Sequence, residues 1–188
     1  MQEEIRCFIS IDVEDSKILS GVQAIQSSLR NVGADLRIVG GGNVHVTLKF
    51  LGSVRPEMLS RVKNVLDGLR FSPFVLELKG AGAFPSMSRI SIIWVGIGTG
   101  AGEVERIYDQ VEDGMTGLGF ARENRRFNPH ITIARVRTGR KREELAKLLA
   151  GLTENSFGSF TAENVRLKQS ILRPGGPEYR TLFEATAS

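Results

Sequence analysis

Residues 43–48 read Asn-Val-His-Val-Thr-Leu, and residues 128–133 read Asn-Pro-His-Ile-Thr-Ile. One hexapeptide pattern therefore occurs twice, with its first residues at positions 43 and 128. The chain has two histidines, His45 and His130, and each copy holds one of them. A repeat at such a distance indicates the duplication of a structural unit, provided that the sequence around both copies is organised in the same way.

The flanking sequence does repeat one order of elements: strand, helix, histidine strand, helix and strand. Apolar residues spaced three and four apart predict the helices, and short apolar runs predict the strands. The strands outside the motifs are expected at 7–13, 74–78, 90–97, 160–172 and 179–185, and the helices carry Ile18, Met58, Val104 and Leu145. Residues 79–88 are expected to form a turn-rich connection.

This order predicts an α+β, bilobal duplicated fold. We expect two pseudo-symmetric lobes of antiparallel sheet, with the helices outside and an active-site cleft between the lobes. The whole chain, 1–188, is expected to form one domain, with lobe one at about 1–85, lobe two at about 86–178 and a last strand at 179–187. A pseudo-twofold axis between the lobes would bring the two histidine strands face to face.

Each motif places a histidine and a threonine on the same side of a strand, because residues i and i+2 point the same way. His45 thus shares a face with Thr47, and His130 with Thr132. One neutral imidazole can take a proton from an attacking water while the other, protonated, gives one to a leaving oxygen. The threonine hydroxyls can donate to phosphate oxygens. The sequence therefore predicts catalysis at a phosphodiester, with the roles of the two histidines left open by the symmetry of the repeat.

Other chemistries have weaker support. Two histidines without a carboxylate or cysteine cluster fall short of the usual zinc ligand set, so no metal and no cofactor are expected. Neither histidine comes with the motif of a serine hydrolase. The glycines of residues 95–101 fit a dinucleotide-binding pattern loosely, but the chain lacks the repeated strand–helix units of a parallel sheet.

The net charge of +4 and a pI of about 9.5 favour a polyanionic partner. Basic residues are concentrated around the second motif, where a single glutamate opposes them. They are Arg122, Arg125, Arg126, Arg135, Arg137, Arg140, Lys141 and Arg142. This basic segment is expected to attract RNA, or else to be a solvated surface.

The single cysteine, Cys7, is expected to be a buried side chain on a strand. A lone thiol without a secretion signal is typical of the reducing cytoplasm, where we expect the protein to reside. No run of about 20 apolar residues predicts a membrane helix.

The chain resembles the 2H phosphoesterases, which are named for two His-x-Thr-x motifs in a bilobal fold. Within them it is similar to the prokaryotic RNA 2′,3′-cyclic phosphodiesterases, also called LigT-like 2′-5′ RNA ligases. The resemblance covers essentially the whole chain and rests on both motifs, the first strand and the closing hairpin. The residues that carry it lie at 6–12, 37–39, 43–52, 127–135, 170–172 and 177–179.

The resemblance implies an enzyme that hydrolyses RNA 2′,3′-cyclic phosphate ends to 2′-phosphates and joins RNA through 2′-5′ linkages without ATP. It implies that His45 is the acid and His130 the base. RNA ends such as those of tRNA halves would be the partner, and we expect a monomer that needs no metal and no membrane. Two alternatives stay open: a non-catalytic RNA- or nucleotide-binding module, and a phosphodiesterase of a small cyclic nucleotide phosphate.

Two further residues come with the resemblance, Phe50 and Arg135, each five positions after a histidine. In the family such residues contact the terminal base by stacking, cation–π interaction or hydrogen bonding. Regular strand alternation places an i+5 side chain opposite the histidine. Both residues therefore bind the base only if the strand twists or bulges, and they are structural otherwise.

Overall fold

The computed structural model describes residues 4–188; residues 1–3, which the sequence assigns to the first lobe, lie outside this range. The strands are β1 (Ile5–Asp12), β2 (Leu36–Ile38), β3 (His45–Val54), β4 (Phe74–Ser86), β5 (Arg89–Ile97), β6 (His130–Val136), β7 (Ser156–Ala162), β8 (Asn164–Arg173) and β9 (Gly176–Thr186). The helices are α1 (Ser16–Asn31), α2 (Pro56–Asp67), α3 (Ala101–Gly117) and α4 (Arg142–Ala150). A short 3-10 turn, Gly41–Asn43, precedes β3.

The strands form one curled antiparallel sheet in the order β7-β4-β5-β6-β3-β1-β8-β9, with β2 also paired to β6. The fold is thus the α+β, pseudo-symmetric arrangement predicted from the repeat. One half of the sheet contains the His45 strand with β1, β8 and β9. The other contains the His130 strand with β5, β4 and β7. The halves meet where β3 pairs with β6.

The helices form where the apolar spacing predicts them. Ile18, Val22, Ile25 and Leu29 are buried along one side of α1. The Asp15 side chain accepts hydrogen bonds from the backbone N–H groups of Lys17 and Ile18 and so caps the start of that helix. The buried stripes of all four helices join one hydrophobic core with the alternate residues of the strands, including Val46 and Ile131.

The strands differ from the sequence expectation in two places. β4 continues through the region expected as a turn and forms a tight hairpin with β5. The expected strand at 160–172 is interrupted at Glu163, so that β7 and β8 are separate. β7 pairs with β4, whereas β8 pairs with β1 on the other side of the sheet.

Each copy of the repeat contributes its closing strand to the half of the sheet that holds the other copy's histidine. β4 follows the first motif but lies beside β5, because the hairpin between them is too short to allow another arrangement. β8 follows the second motif and lies beside β1. Each predicted lobe is a continuous segment of the chain, whereas each half of the sheet contains strands from both segments.

Candidate active site

The two histidine strands meet at the antiparallel pair Val46–Ile131. In an antiparallel ladder the neighbours of such a pair also face each other, so His45 lies across from Thr132 and Thr47 across from His130. Val46 and Ile131 are fully buried in the core, whereas the four motif residues are on the opposite face. Adjacent strands are about 5 Å apart. The predicted catalytic residues are therefore grouped on one small patch of the sheet.

Each imidazole is held by the backbone two residues before it. Nδ1 of His45 lies 2.8 Å from the carbonyl oxygen of Asn43, and Nδ1 of His130 lies 2.7 Å from that of Asn128. A carbonyl can only accept a hydrogen bond, so Nδ1 carries a proton in both rings. In the neutral form, Nε2 is then the basic nitrogen of both histidines.

The Nε2 atoms differ in their partners. Nε2 of His45 lies 3.0 Å from Oγ1 of Thr47, which donates to it when the ring is neutral. Nε2 of His130 makes no hydrogen bond to any group within residues 4–188. The second histidine therefore offers a free lone pair to a water or substrate atom.

Aromatic side chains flank both rings. The His45 ring centroid lies 4.9 Å from that of Phe8 and 5.5 Å from that of Tyr179. The His130 ring centroid lies 4.9 Å from that of Phe84 and 6.3 Å from that of Trp94. These contacts restrict the orientation of each imidazole and reduce its exposure to water.

Burial lowers the pKa of both histidines below its ordinary value of 6.5. At His45 the hydrogen bond to Asn43 and the charge of Asp12 oppose this effect, and at His130 only the hydrogen bond to Asn128 does so. Because desolvation disfavours the charged ring, both imidazoles are mainly neutral at pH 7 before substrate binds. A bound phosphate would raise the pKa of whichever ring it contacts.

A network of charged side chains lies beside His45. Asp12, opposite His45 on β1, accepts hydrogen bonds from Ser10, Lys168 and Arg166. Lys168 is nearly fully buried, and its ammonium group lowers the pKa of Asp12. At the equivalent place beside His130 the residue opposite is Gly96, which has no side chain.

β-Bulges decide where Phe50 and Arg135 lie. In β3 the pairing with β1 skips Leu48, and in β6 the pairing with β5 skips Ile133, three residues after the histidine in each case. The extra residue reverses the alternation beyond it, so Phe50 and Arg135 return to the histidine face. Both are exposed, and the Phe50 ring lies 6.2 Å from that of Phe8. Both strands therefore bulge between the histidine and the residue five positions later, as a contact of Phe50 and Arg135 with the base requires.

The first bulge also buries Lys49. Its ammonium group lies 2.5 Å from Glu112 of α3 and donates to the carbonyl of Ala121 at 2.9 Å. Glu112 in turn accepts from the backbone N–H of Glu123. This buried ion pair fixes the start of the segment that leads into β6, and hence supports the position of the second histidine strand.

The basic segment is only partly free of acidic partners. Three ion pairs involve its members: Arg122 with Asp113, Arg137 with Asp35 and Lys141 with Glu144. Arg135 is the member that the fold carries onto the face of the histidines. Acidic partners therefore neutralise three of its eight basic residues.

The sequence predicted the two histidines, the two threonines, Phe50 and Arg135 as site residues. It did not predict the aromatic and charged side chains that surround them. Phe8, Phe84 and Trp94 reach the site from strands whose register no local pattern reveals. The two asparagines before the histidines were visible as part of the repeat, and that signal could have identified their role. Cys7 is buried as predicted, and burial raises the pKa of its thiol to about 11.

Within residues 4–188, no three His, Cys, Asp or Glu side chains are grouped closely enough to hold a metal ion. None of the helices described in that range has the length and apolar content needed to cross a bilayer.

The sequence matches the family described as LigT like Phosphoesterase twice, over residues 12–94 and 96–179. An RNA 2′,3′-cyclic phosphodiesterase of Aeropyrum pernix is 40% identical over 87% of this chain and 93% of its own length. One of Archaeoglobus fulgidus is 37% identical over 95% of this chain and 98% of its own length. Each of the two family matches contains one of the histidine motifs.

Solved structures agree with the fold. Escherichia coli LigT in its apo form has a TM-score of 0.79, with 24% identity, over 100% of this chain and 99% of its own. A protein of Thermus thermophilus has a TM-score of 0.81, with 22% identity, over 97% of both chains. At these identities the likeness establishes the shared fold.

Proposed function

The chain belongs to the LigT-like phosphoesterases, a family of phosphodiester hydrolases, and on that premise we propose that it opens the 2′,3′-cyclic phosphate ends of RNA to 2′-phosphates. The observation that carries the proposal is the grouping of His45, Thr47, His130 and Thr132 on one face of two paired strands. The names of the relatives supply the RNA end as the substrate.

In this proposal His130 is the base and His45 the acid, as the resemblance implies. Nε2 of His130 takes a proton from water, and the water oxygen forms a bond to phosphorus. The bond between phosphorus and O3′ breaks, and protonated Nε2 of His45 gives its proton to O3′. The product carries its phosphate on O2′, and the two histidines have exchanged protonation states.

Two features support this assignment of roles. The open Nε2 of His130 can accept a proton from water without first losing a partner. Among the charges around His45, the Asp12 carboxylate has the larger effect on the pKa and favours the protonated form that an acid requires, against the smaller opposing effect of Lys168; His130 has aromatic neighbours and no such carboxylate. The phosphate itself would contribute further to holding the proton on His45.

The threonines and the bulged residues would hold the substrate. Thr47 and Thr132 lie beside the histidines and can donate to the non-bridging oxygens as negative charge builds on them. Phe50 can stack on the terminal base, and Arg135 can contact that base from the other strand. The same site could join RNA without ATP when a 5′-hydroxyl replaces water as the nucleophile, which gives a 2′-5′ linkage.

The proposal extends to the working form of the protein. We infer that residues 1–188 act as one domain, as a cytoplasmic monomer, with no metal or cofactor, and that tRNA halves are among the RNA ends it processes. The two histidines and two threonines come from a single chain, so no second copy is needed to complete the site.

The test is incubation with a short RNA that ends in a 2′,3′-cyclic phosphate, in the presence of EDTA and without nucleoside triphosphate. A 2′-phosphate product is expected, identified by its resistance to enzymes that remove only 3′-phosphates. A 3′-phosphate product would contradict the proposed direction of cleavage. Activity that disappears with EDTA and returns with a divalent ion would contradict the metal-free mechanism.

A further inference from the structure

Aromatic side chains form two clusters on the histidine face of the sheet, one beside each imidazole. One member of the cluster beside His45, Phe50, would stack on the terminal base of the substrate. The cluster beside His130 consists of Phe84 on β4 and Trp94 on β5. The Phe84 ring lies 5.3 Å from that of Trp94 and meets the His130 ring edge-on at 4.9 Å. This second cluster has no role in the proposed hydrolysis beyond holding the His130 ring.

The Phe84–Trp94 pair is not part of the protein interior. Within residues 4–188, neither ring belongs to the hydrophobic core or packs against it, and Phe84 is half-buried. The stacked pair of Tyr108 and Phe127, in contrast, packs against that core. Burial in the core therefore does not explain why two aromatic rings lie beside His130.

The fold holds the indole of Trp94 in place but leaves its polar group unpaired. The indole lies against Gly82 of β4, where a Cβ atom would be 2.4 Å from Cζ2 of the ring. Its Nε1–H group is buried and has no hydrogen-bond partner in the described part of the chain. An unpaired buried donor costs stability. A side chain kept at such a cost beside a reaction centre indicates a role in the reaction.

The geometry of the reaction determines which group of a substrate lies on this side. In the proposed mechanism His130 takes a proton from the nucleophile, and His45 gives one to O3′ of the terminal nucleotide. The nucleophile attacks phosphorus roughly in line with the bond that breaks. The molecule that carries the nucleophilic oxygen therefore enters from the side of His130, where Phe84 and Trp94 lie.

We propose that Phe84 and Trp94 form a subsite for a second RNA end, whose terminal nucleoside carries a free 5′-hydroxyl group. This inference rests on the proposed function and concerns its joining reaction. The base of the entering nucleoside stacks on the Phe84 ring, which Trp94 supports. Because every base has a π-face, such a subsite accepts all four bases.

The bound 5′-hydroxyl group replaces water in the same chemical step. Its oxygen forms a bond to phosphorus, and its proton passes to Nε2 of His130. The bond between phosphorus and O3′ breaks, and protonated Nε2 of His45 gives its proton to O3′. One phosphorus–oxygen bond is exchanged for another, so the 2′-5′ linkage forms without ATP.

The test is a competition between water and the second RNA end for one phosphate. The donor is a dinucleotide that ends in a 2′,3′-cyclic phosphate and carries a 5′-phosphate, so that it cannot act as acceptor. The acceptor is a dinucleotide with a free 5′-hydroxyl group, and the ratio of joined to hydrolysed donor is measured at a fixed acceptor concentration. In Phe84→Leu this ratio should fall about tenfold, the scale of one base–aromatic stack. Both products use the same histidines, so a change in the orientation of His130 leaves the ratio unaltered.

Three controls separate stacking from other effects. Phe84→Tyr keeps the aromatic plane and should keep the ratio. Phe50→Leu removes an exposed ring on the other side of the cleft and should slow both products together, so that the ratio again stays the same. An acceptor with a 5′-hydroxyl ribose but no base should be joined poorly, and equally so by the unaltered protein and by Phe84→Leu.

The outcomes are distinct. An unchanged ratio in Phe84→Leu, or an acceptor without a base that is joined as well as the dinucleotide, would overturn the subsite while leaving the phosphodiesterase in place. An equal fall of the ratio in Phe50→Leu, or hydrolysis without joining at any acceptor concentration, would also overturn it. If the unaltered protein does not open the cyclic phosphate, the proposed function fails, and the subsite fails with it.

Discussion

His45 and His130 occupy equivalent positions in the repeat, and their Nδ1 atoms are held in the same way, but their surroundings differ. Beside His45 are Phe8, Tyr179 and the charged residue Asp12. Beside His130 are Phe84 and Trp94, with Gly96 at the position of Asp12. The duplication thus supplies two identical imidazoles, and the neighbouring strands make one side polar and the other apolar.

The difference extends to the threonines. Ser10 is the cross-strand neighbour of Thr47, and Trp94 is that of Thr132. The indole N–H of Trp94 is buried without a hydrogen-bond partner in the described chain, whereas Ser10 donates to Asp12. A symmetric backbone can therefore give its two imidazoles different environments, because proton affinity depends on neighbours that the symmetry does not relate.

The largest effect should come from removing either imidazole. His45→Ala and His130→Ala should each lower hydrolysis of the cyclic phosphate by at least ~100-fold, the usual contribution of a positioned acid or base. Because the two act in one step, the double variant should be little slower than the slower single variant. Steady-state kinetics on the dinucleotide substrate measures all three. A single variant with near-normal turnover would show that only one imidazole takes part.

The threonines should have the next largest effect. Thr47→Val and Thr132→Val each remove one hydroxyl donor to the phosphate, a loss of about 1.5–3 kcal/mol in the transition state, or roughly 10- to 100-fold in kcat. Thr47→Val should in addition alter the pH profile, since Oγ1 of Thr47 also contacts Nε2 of His45. Thr132→Val is the matched control and should lower the rate without moving the profile. Identical pH profiles for the two variants would contradict the asymmetry.

A smaller difference is expected at the asparagines before the histidines. The Asn43 side chain donates to the carbonyl of Pro177 at 2.9 Å and so ties the carbonyl that orients His45 to β9. Asn128 holds His130 through its backbone, and its side chain has no such bond within residues 4–188. Asn43→Ala should lower kcat by about fivefold, corresponding to ~1 kcal/mol for the lost bond.

Asn128→Ala is the control for that measurement and should leave kcat close to its original value, because the backbone carbonyl remains. Thermal unfolding of both variants would separate a loss of stability from a loss of orientation. If the two substitutions lower kcat equally, the tie to β9 has no part in positioning His45.

The smallest effects concern pH. Since burial lowers both histidine pKa values below 6.5, the bell-shaped profile of kcat/KM should have its optimum below pH 6.5. The phosphate of the bound substrate raises these pKa values, so the optimum of kcat should lie at higher pH. An optimum of kcat/KM above pH 6.5 would show that the free enzyme does not hold its histidines in this neutral state.

Asp12→Asn sharpens this comparison, because it removes a charge that raises the pKa of His45 and does not act on that of His130. One limb of the profile should move to lower pH while the other stays. Glu14→Gln is the control, as it removes a carboxylate that binds the same Arg166 but lies away from the imidazole. Movement of both limbs together would contradict separate environments for the two histidines.

The amino-acid sequence by itself determined the local features of this protein. Apolar spacing predicts the four helices, since a buried stripe must recur every three to four residues. The repeated motif places His45, Thr47, His130 and Thr132, because alternation along a strand is a property of neighbouring residues. The duplication, the α+β class and the candidate catalytic residues follow from such short-range patterns.

Only the tertiary structure decided how the strands pair. The exchange of β4 and β8 between the halves depends on contacts far apart in the chain, which short patterns do not encode. The bulges at Leu48 and Ile133 are visible only against their partner strands, and they alone bring Phe50 and Arg135 to the histidines.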